Sequence, residues 1–399
     1  MNKTAMGLLL ALGGALAPAA GAQEPILLGR SFVLRSRVLN EDRKLMVATP
    51  AGYDQGRQRY PVLYLTDGET QFAHTAATAS FLARNNRIPP LIVVGIANTD
   101  RTRDLTPTKA SLTVAGQQNP FPTAGGADNF LKFIETEVFP HVEKTYRTHP
   151  FRILCGHSLG GLFALHALFS RPELFNAVVA ASPTLIWDND LPLRRAKELF
   201  AGRAELKRTL FVTSGAEGPE MDQAFGELQS ILKGVTTSGF LWGAERMEDE
   251  DHGSVVLRSY YAGLRKIYEP WSPPIDRVTG ALEGGLETLK RHYADVSARF
   301  GYEVQVPEAL ANAVGYAELA RSRTERALEA FRFNAAAYPD SANVHDSLGE
   351  GLEAAGKLQE ARDSYARSVT LGEKAGDPNL PIFRQHLAAA EAMLEGPRK

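Results

Sequence analysis

Short, nearly uninterrupted apolar runs recur at Pro61 to Leu65, Leu91 to Ile96, Phe151 to Cys155, Ala177 to Ala181 and Thr209 to Thr213. Between them, segments such as Asp128 to Tyr146 and Glu220 to Leu232 carry apolar residues at helical spacing. A strand that is apolar on both sides must be covered on both faces, so the pattern predicts a mostly parallel α/β sheet between two layers of helices. Such sheets bind ligands beyond the carboxyl ends of their strands. Ahead of the first run, Ser31 to Leu39 and Lys44 to Thr49 flank Asn40-Glu41-Asp42-Arg43 and predict an antiparallel hairpin.

One run ends in a turn with chemical consequences. Gly156-His157-Ser158-Leu159-Gly160 fits G-x-S-x-G between the strand Arg152 to Cys155 and an apolar helix from Gly161. A serine on such an elbow adopts a strained backbone, tolerable where its neighbours two positions away have no side chain. The Leu159 amide, at the helix N-terminus, then faces the oxyanion formed when Ser158 attacks a carbonyl.

A serine hydroxyl is a poor nucleophile until a histidine takes its proton and an acid holds that histidine in the right tautomer. Elbow-type hydrolases carry these groups in the order serine, acid, histidine. Among nine histidines, His252 follows the last strand, Phe240 to Arg246, on a polar turn closed by Gly253, and is the expected base. His166 reads as part of the apolar helix, and His157 as a residue that shapes the site. The acid is expected on the loop Ser214 to Asp222. Glu217 is preferred because it directly follows the strand; Glu220 and Asp222, the alternatives, fall in the first turn of a helix beginning near Pro219, where acids complement the dipole.

A second oxyanion amide is expected near Glu69, after the strand ending at Thr66, although a plain turn explains Asp67 and Gly68 equally well. Arg101 and Arg103 follow the Leu91 to Ile96 strand. They bind an anionic or polyphenolic substrate, or one of them pairs with Asp104 to brace the loop. Trp187 lines an acyl pocket or is half-buried packing. No H-x-H, H-E-x-x-H or phosphate-loop spacing occurs, so neither a metal nor a cofactor is expected.

The 399 residues exceed what one core usually organises, and two domains are expected. A net charge of −2, with both signs interspersed, offers no extended field to nucleic acid or an anionic membrane. Lys3, the apolar stretch Met6 to Ala17 and Ala20-Gly21-Ala22 read as a cleavable signal peptide over residues 1–22, which predicts a periplasmic or secreted protein. That stretch is shorter than the roughly 20 residues a bilayer needs, so stable membrane insertion is not expected. Cys155, the single cysteine, reads as a buried hydrophobe on the elbow strand.

Past the stiff link Pro270 to Pro274 the pattern becomes helical. Val314-Gly315, Ala327 and Phe331 recur 34 residues later as Leu348-Gly349, Ala361 and Tyr365, which resembles the tetratricopeptide repeat. An unrelated helical bundle is the alternative. About two units and a last helix, Ile382 to Leu394, fall short of the roughly three repeats needed to stand alone. The array is therefore expected to lean on the preceding domain, or to hold a protein partner. The expected division is 1–22, 23–275 and 276–399.

Val62-Leu63-Tyr64-Leu65-Thr66-Asp67-Gly68, Asn98 to Thr108, the GHSLGG elbow, Ala181-Ser182-Pro183-Thr184 and Asp251-His252-Gly253-Ser254-Val255 together resemble the esterase family of the α/β-hydrolase superfamily. That group includes esterase D, siderophore and feruloyl esterases and the mycolyltransferases. The likeness spans roughly Ser31 to Tyr268. It implies an α/β-hydrolase fold, Ser158 as nucleophile, His252 as base, an acid from the Glu217 loop, and the amides of Leu159 and Glu69 as oxyanion hole. The expectation is an exported serine esterase acting on a small-molecule ester, such as a siderophore, carbohydrate or phenolic ester. An acyltransferase with the same triad, or a binding protein acting through its helical repeats, is the alternative.

Overall fold

The computed structural model describes residues 26–114, 117–276, 278 and 282–395. The expected signal peptide lies outside them. The strands are β1 (Arg30–Arg35), β2 (Asp42–Ala48), β3 (Tyr60–Leu65), β4 (Ile92–Ile96), β5 (Ser111–Val114), β6 (Gln117–Pro120), β7 (Thr148–His157), β8 (Ala177–Ala181), β9 (Thr209–Ser214) and β10 (Leu241–Arg246). Eight of them form one sheet in the order β1-β2-β4-β3-β7-β8-β9-β10, and β5 and β6 pair separately. In the large sheet β1 and β2 make the expected antiparallel hairpin, β2 runs antiparallel to β4, and the remaining pairs are parallel.

Every residue of β3, β4, β8 and β9 is buried, which is why these strands read as continuous apolar runs. Successive side chains enter opposite cores. Tyr60, Val62 and Tyr64 of β3 join one, and Leu63 and Leu65 the other; Val178 and Ala180 of β8 part from Ala177, Val179 and Ala181 in the same way.

The first core is closed by α2 (Arg101–Leu105), α3 (Ala127–Phe133), α4 (Phe139–Thr145), α5 (Leu159–Ser170), α6 (Leu191–Phe200) and α7 (Pro219–Lys233). The second is closed by α1 (Gly68–Arg84) and α8 (Val255–Ile267). The sequence predicts one helix from Asp128 to Tyr146, but a π-helical turn, Ile134–Val138, separates α3 from α4. Pro140 lacks the amide that a regular α-helix would use there.

Beyond α8 the chain is all-helical: α9 (Gly285–Phe300), α10 (Glu308–Ala320), α11 (Thr324–Ala337), α12 (Ala342–Ala354), α13 (Leu358–Ala375) and α14 (Leu380–Glu395). Two contacts recur in it. A Cβ on Gly315 would lie 2.4 Å from the Phe331 ring, and one on Gly349 would lie 2.4 Å from the Tyr365 ring. No described helix is long and apolar enough to cross a membrane.

This helical region shares its core with the sheet. Leu289, Tyr293, Val296 and Phe300 of α9 join Phe151, Ile267 and Tyr268 in the second core. The Phe300 ring stands 5.1 Å from that of Phe151 and 4.9 Å from that of Tyr268. Ending the chain after Asp276 exposes these aromatic groups. The truncated protein is expected to bind a hydrophobic dye and to lose cooperative thermal unfolding; a truncated chain that melts sharply at the full-length temperature would contradict the shared core.

Candidate active site

β7 lies between β3 and β8 at the centre of the parallel sheet and ends at His157. The Ser158 amide donates to Ala181 O at 3.0 Å as the chain turns into α5. Ser158 has φ 60° and ψ −118°, a conformation costing an L residue about 1–3 kcal/mol. A Cβ on Gly156 would lie 2.0 Å from Gly160 O, and one on Gly160 would lie 2.4 Å from Thr66 Oγ1. Close approach, of backbone at Gly156 and of the Thr66 side chain at Gly160, thus demands both glycines as well as the turn does.

The loops after β9 and β10 meet beside this elbow. Ala216 N–H donates to Glu250 O at 2.8 Å, and a Cβ on Gly215 would lie 2.8 Å from both Glu250 O and Asp251 O. Asp251 Oδ1 accepts the Gly253 and Ser254 amides at 2.8 Å each and shapes the turn that carries His252. His252 Nδ1 lies 2.7 Å from Glu217 Oε2. Burial pulls the Glu217 carboxyl up, but hydrogen bonds from His252, Ser182 and the Gly215 amide leave it below the usual glutamate range. Glu217 is therefore ionised at neutral pH and accepts the hydrogen bond from His252 Nδ1.

The His157 ring lies beside that of His252, with centroids 4.8 Å apart. Its Nε2–H donates to His252 O at 2.6 Å. Burial, then the neighbouring imidazole, hold the His157 pKa below the usual histidine value. Among the described residues no hydrogen bond joins Ser158 Oγ to His252. Apo hydrolases often leave this contact long until substrate binds.

Of the alternative acids, Glu220 is exposed and Asp222 pairs with Arg246 at 3.0 Å; neither meets His252. Ser182, which sequence reasoning left without a role, stands beside the Glu217 loop. It is buried, has φ 41° and accepts the Gly215 amide at 3.2 Å, an amide that also lies 3.1 Å from Glu217 Oε1. The signal was present in Ala181-Ser182-Pro183-Thr184, a polar residue directly after a buried strand.

The amides of Leu159 and Glu69 lie in the first turns of α5 and α1. In α5 the first amide to reach back is that of Leu162, to Ser158 O, and in α1 those of Thr70 and Gln71 return to Asp67 O. The preceding amides have no intrahelical acceptor.

Of the two roles expected for Arg101 and Arg103, substrate binding or bracing of the loop through Asp104, Arg103 takes the second. Arg103 Nε donates to Asp104 Oδ1 at 2.7 Å, and its Nη atoms donate to both oxygens of Glu41. Asp104 also meets the buried Arg43, so Arg103 belongs to a brace. Arg101 donates through Nε to Asp67 Oδ1 at 2.6 Å, and through Nη2 to Asp67 Oδ2 at 3.1 Å and His157 O at 3.2 Å. Trp187 has no exposed surface and donates to Thr108 Oγ1 at 3.0 Å, so its ring is internal packing. One group among the described residues has donor atoms close enough for a cation, Asp346, Glu350 and His386, within 4.8 Å of one another in the helical region. Each already has a protein partner: His386 pairs with Asp346 at 3.0 Å, and Tyr316 donates to Glu350 at 3.0 Å.

A family model described as "Putative esterase" matches residues 36–259. The chain belongs to this esterase family. It is a carboxylic ester hydrolase. Among similar esterases, the siderophore triacetylfusarinine C esterase of Aspergillus fumigatus is 30% identical over 54% of this chain and 84% of its own. The siderophore enterobactin esterase of Emericella nidulans is 34% identical over 51% of this chain and 80% of its own. The crystal structure of an IroE-like serine hydrolase from Shewanella oneidensis superposes with a TM-score of 0.67 at 30% identity, covering 77% of this chain and 98% of that one.

Two outcomes follow for this esterase. In Gly215→Ala the added methyl collides with two backbone oxygens of the His252 loop. The variant is expected to lose about 1–3 kcal/mol of stability, as overpacking does, and at least about tenfold in kcat; wild-type kcat and melting temperature would refute the close fit. In the Arg103 brace, burial raises the Glu41 pKa, but hydrogen bonds from Arg103, Thr99 and Arg43, with Arg43's charge, bring it down to about 2. Folding lowers this pKa, so its stabilisation is complete above the unfolded value of about 4.3 and is lost as pH falls through the folded value. The stability gap between wild type and Glu41→Gln is expected to be widest near neutrality and to close between about pH 4.3 and 2, measured by denaturant unfolding at each pH. A gap independent of pH would count against the brace.

Proposed function

We propose that the chain is an exported serine esterase in which Ser158, His252 and Glu217 form a catalytic triad that hydrolyses a siderophore-type ester. The observation that carries this reading is the 2.7 Å hydrogen bond from His252 Nδ1 to the ionised Glu217, beside a serine strained onto an elbow. With substrate bound, Ser158 Oγ meets His252 Nε2 and attacks the ester carbonyl as the imidazole takes its proton. The oxyanion lies against the Leu159 and Glu69 amides. Collapse expels the alcohol, which receives the proton from His252. Water then repeats the sequence on the acyl-enzyme and frees Ser158 with the acid product.

The substrate class is supported by the names of the similar proteins, both siderophore esterases, which span most of their own length in the alignment. Export is supported by the charged, apolar and small-residue order of Met1 to Ala22. We assign residues 23–275 to the hydrolase domain and 276–399 to a tetratricopeptide-like domain, supported by the 34-residue recurrence in which Gly315 and Gly349 each face an aromatic ring. Its stacked helices offer a docking face for a protein partner.

The test uses purified mature protein against a tri-lactone siderophore, a feruloyl ester, an acetylated sugar and p-nitrophenyl acetate, with and without a competing alcohol. The siderophore is expected to have the highest kcat/KM, with the free acid as product. Ser158→Ala is expected to lose at least about 10³-fold in kcat and Glu217→Gln about 10²–10⁴-fold. Turnover retained in Ser158→Ala would end the triad assignment. Acyl transfer to the alcohol in place of hydrolysis would identify a transferase.

A further inference from the structure

Asp67 occupies the N-cap of α1, where an aspartate ordinarily turns its carboxylate onto the first amides of its own helix. Here it does not. Asp67 has φ 53° and makes no side-chain cap bond, although it is buried. Its two oxygens are taken by Arg101, and Oδ1 also accepts from Asn98 Nδ2 at 2.6 Å. The Glu69 carboxylate is likewise drawn off the helix end, accepting Asn98 N–H at 3.1 Å and Asn98 Nδ2 at 2.7 Å. Two carboxylates adjoining an uncapped helix start are thus held away from its free amides.

The guanidinium that holds Asp67 also reaches the elbow, donating to His157 O at 3.2 Å. Arg101 therefore ties the residue two before Glu69 to the residue just before Ser158. The two helix starts touch at that level, since a Cβ on Gly160 would lie 3.0 Å from Asp67 Oδ2.

We propose that Arg101 is a positioning residue that keeps the oxyanion hole open by holding the Asp67 carboxylate off the α1 amides and pinning that turn to the nucleophile elbow. This rests on the reading of Ser158 as nucleophile and of the Leu159 and Glu69 amides as oxyanion donors. The guanidinium is engaged with the protein, so its contribution is to the geometry of those amides in the transition state. In its absence the Asp67 carboxylate swings onto the helix end and occupies the place of the substrate oxyanion.

The test compares wild type, Arg101→Ala, Arg101→Lys, and the double variant Arg101→Ala with Asp67→Gly. Glycine accepts the positive φ and cannot cap. Rates with p-nitrophenyl acetate, affinity for a phenylboronic acid that mimics the tetrahedral oxyanion, fluorophosphonate labelling of Ser158 and melting temperature are measured on the full chain. Arg101→Ala is expected to lose about 10–10³-fold in kcat with KM within about twofold, comparable to removal of one oxyanion donor, and boronate affinity is expected to weaken with it. Arg101→Lys, with one ammonium in place of a fork, is expected to fall between Arg101→Ala and wild type. The double variant is expected to regain at least about tenfold of the lost kcat, because the competing carboxylate is gone.

A purely structural arginine would lower the melting temperature and leave boronate affinity and kcat unchanged, which overturns the proposal. So does a double variant no faster than Arg101→Ala. If wild-type Ser158 is labelled and Arg101→Ala matches its rate, the positioning role fails and the serine mechanism stands. If wild-type Ser158 is not labelled, both fall together.

Discussion

The elbow persists because its two glycines are packed against atoms that leave no room for a side chain. Gly156 and Gly160 approach so closely that a single methyl on either would meet main-chain or Thr66 atoms at 2.4 Å or less. The strained Ser158 between them cannot relax without breaking a ladder that pairs β7 with β3 on one side and β8 on the other. Those strands are buried on both faces, so the sheet as a whole over-determines the local strain. The hydroxyl is presented at the carboxyl edge at a cost of about 1–3 kcal/mol, small against the core that opposes its release.

A second set of constraints is ionic. The segment between β4 and α3 carries two arginines two residues apart with different tasks. Arg103 closes a network with Glu41, Asp104 and the buried Arg43, in which each charge has an opposite partner. Buried charges tolerate no vacancy in such a set, because an unpaired one costs several kcal/mol of desolvation. The segment is thereby rigid, and Arg101 extends from it to Asp67 and the elbow. The brace and the site are one construction, in which the first holds the backbone from which the second reaches.

The helical region completes the second core of the sheet. α9 supplies Tyr293 and Phe300 to the same cluster as Phe151 and Tyr268. Further along, close helix contacts depend on glycines facing rings, Gly315 on Phe331 and Gly349 on Tyr365, so the same spatial device is used twice.

Much of the sheet was legible because a doubly covered strand needs apolar side chains on both faces, and that need is written as continuous runs such as Tyr60 to Leu65. The elbow was legible for a steric reason, since few residues besides glycine fit two positions either side of Ser158. Glu217 and His252 were readable as candidates from chain order. Their pairing depended on Gly215 admitting the His252 loop and on Ser182 accepting the Gly215 amide, contacts between segments distant in sequence. Local pattern left two roles open for Arg103 and for Trp187, because exposure and partner choice belong to the assembled neighbourhood: the guanidinium meets Glu41 and Asp104, and the buried indole donates to Thr108. The sequence by itself determined the periodicities, and with them the sheet, its covering helices and the turn that bears the serine, because these follow from local sterics and the burial of apolar side chains. Tertiary structure alone decided which charges meet, which acid faces His252 and where the Asp67 carboxylate points, because hydrogen bonds act over a few ångströms and chain separation says nothing about such distances.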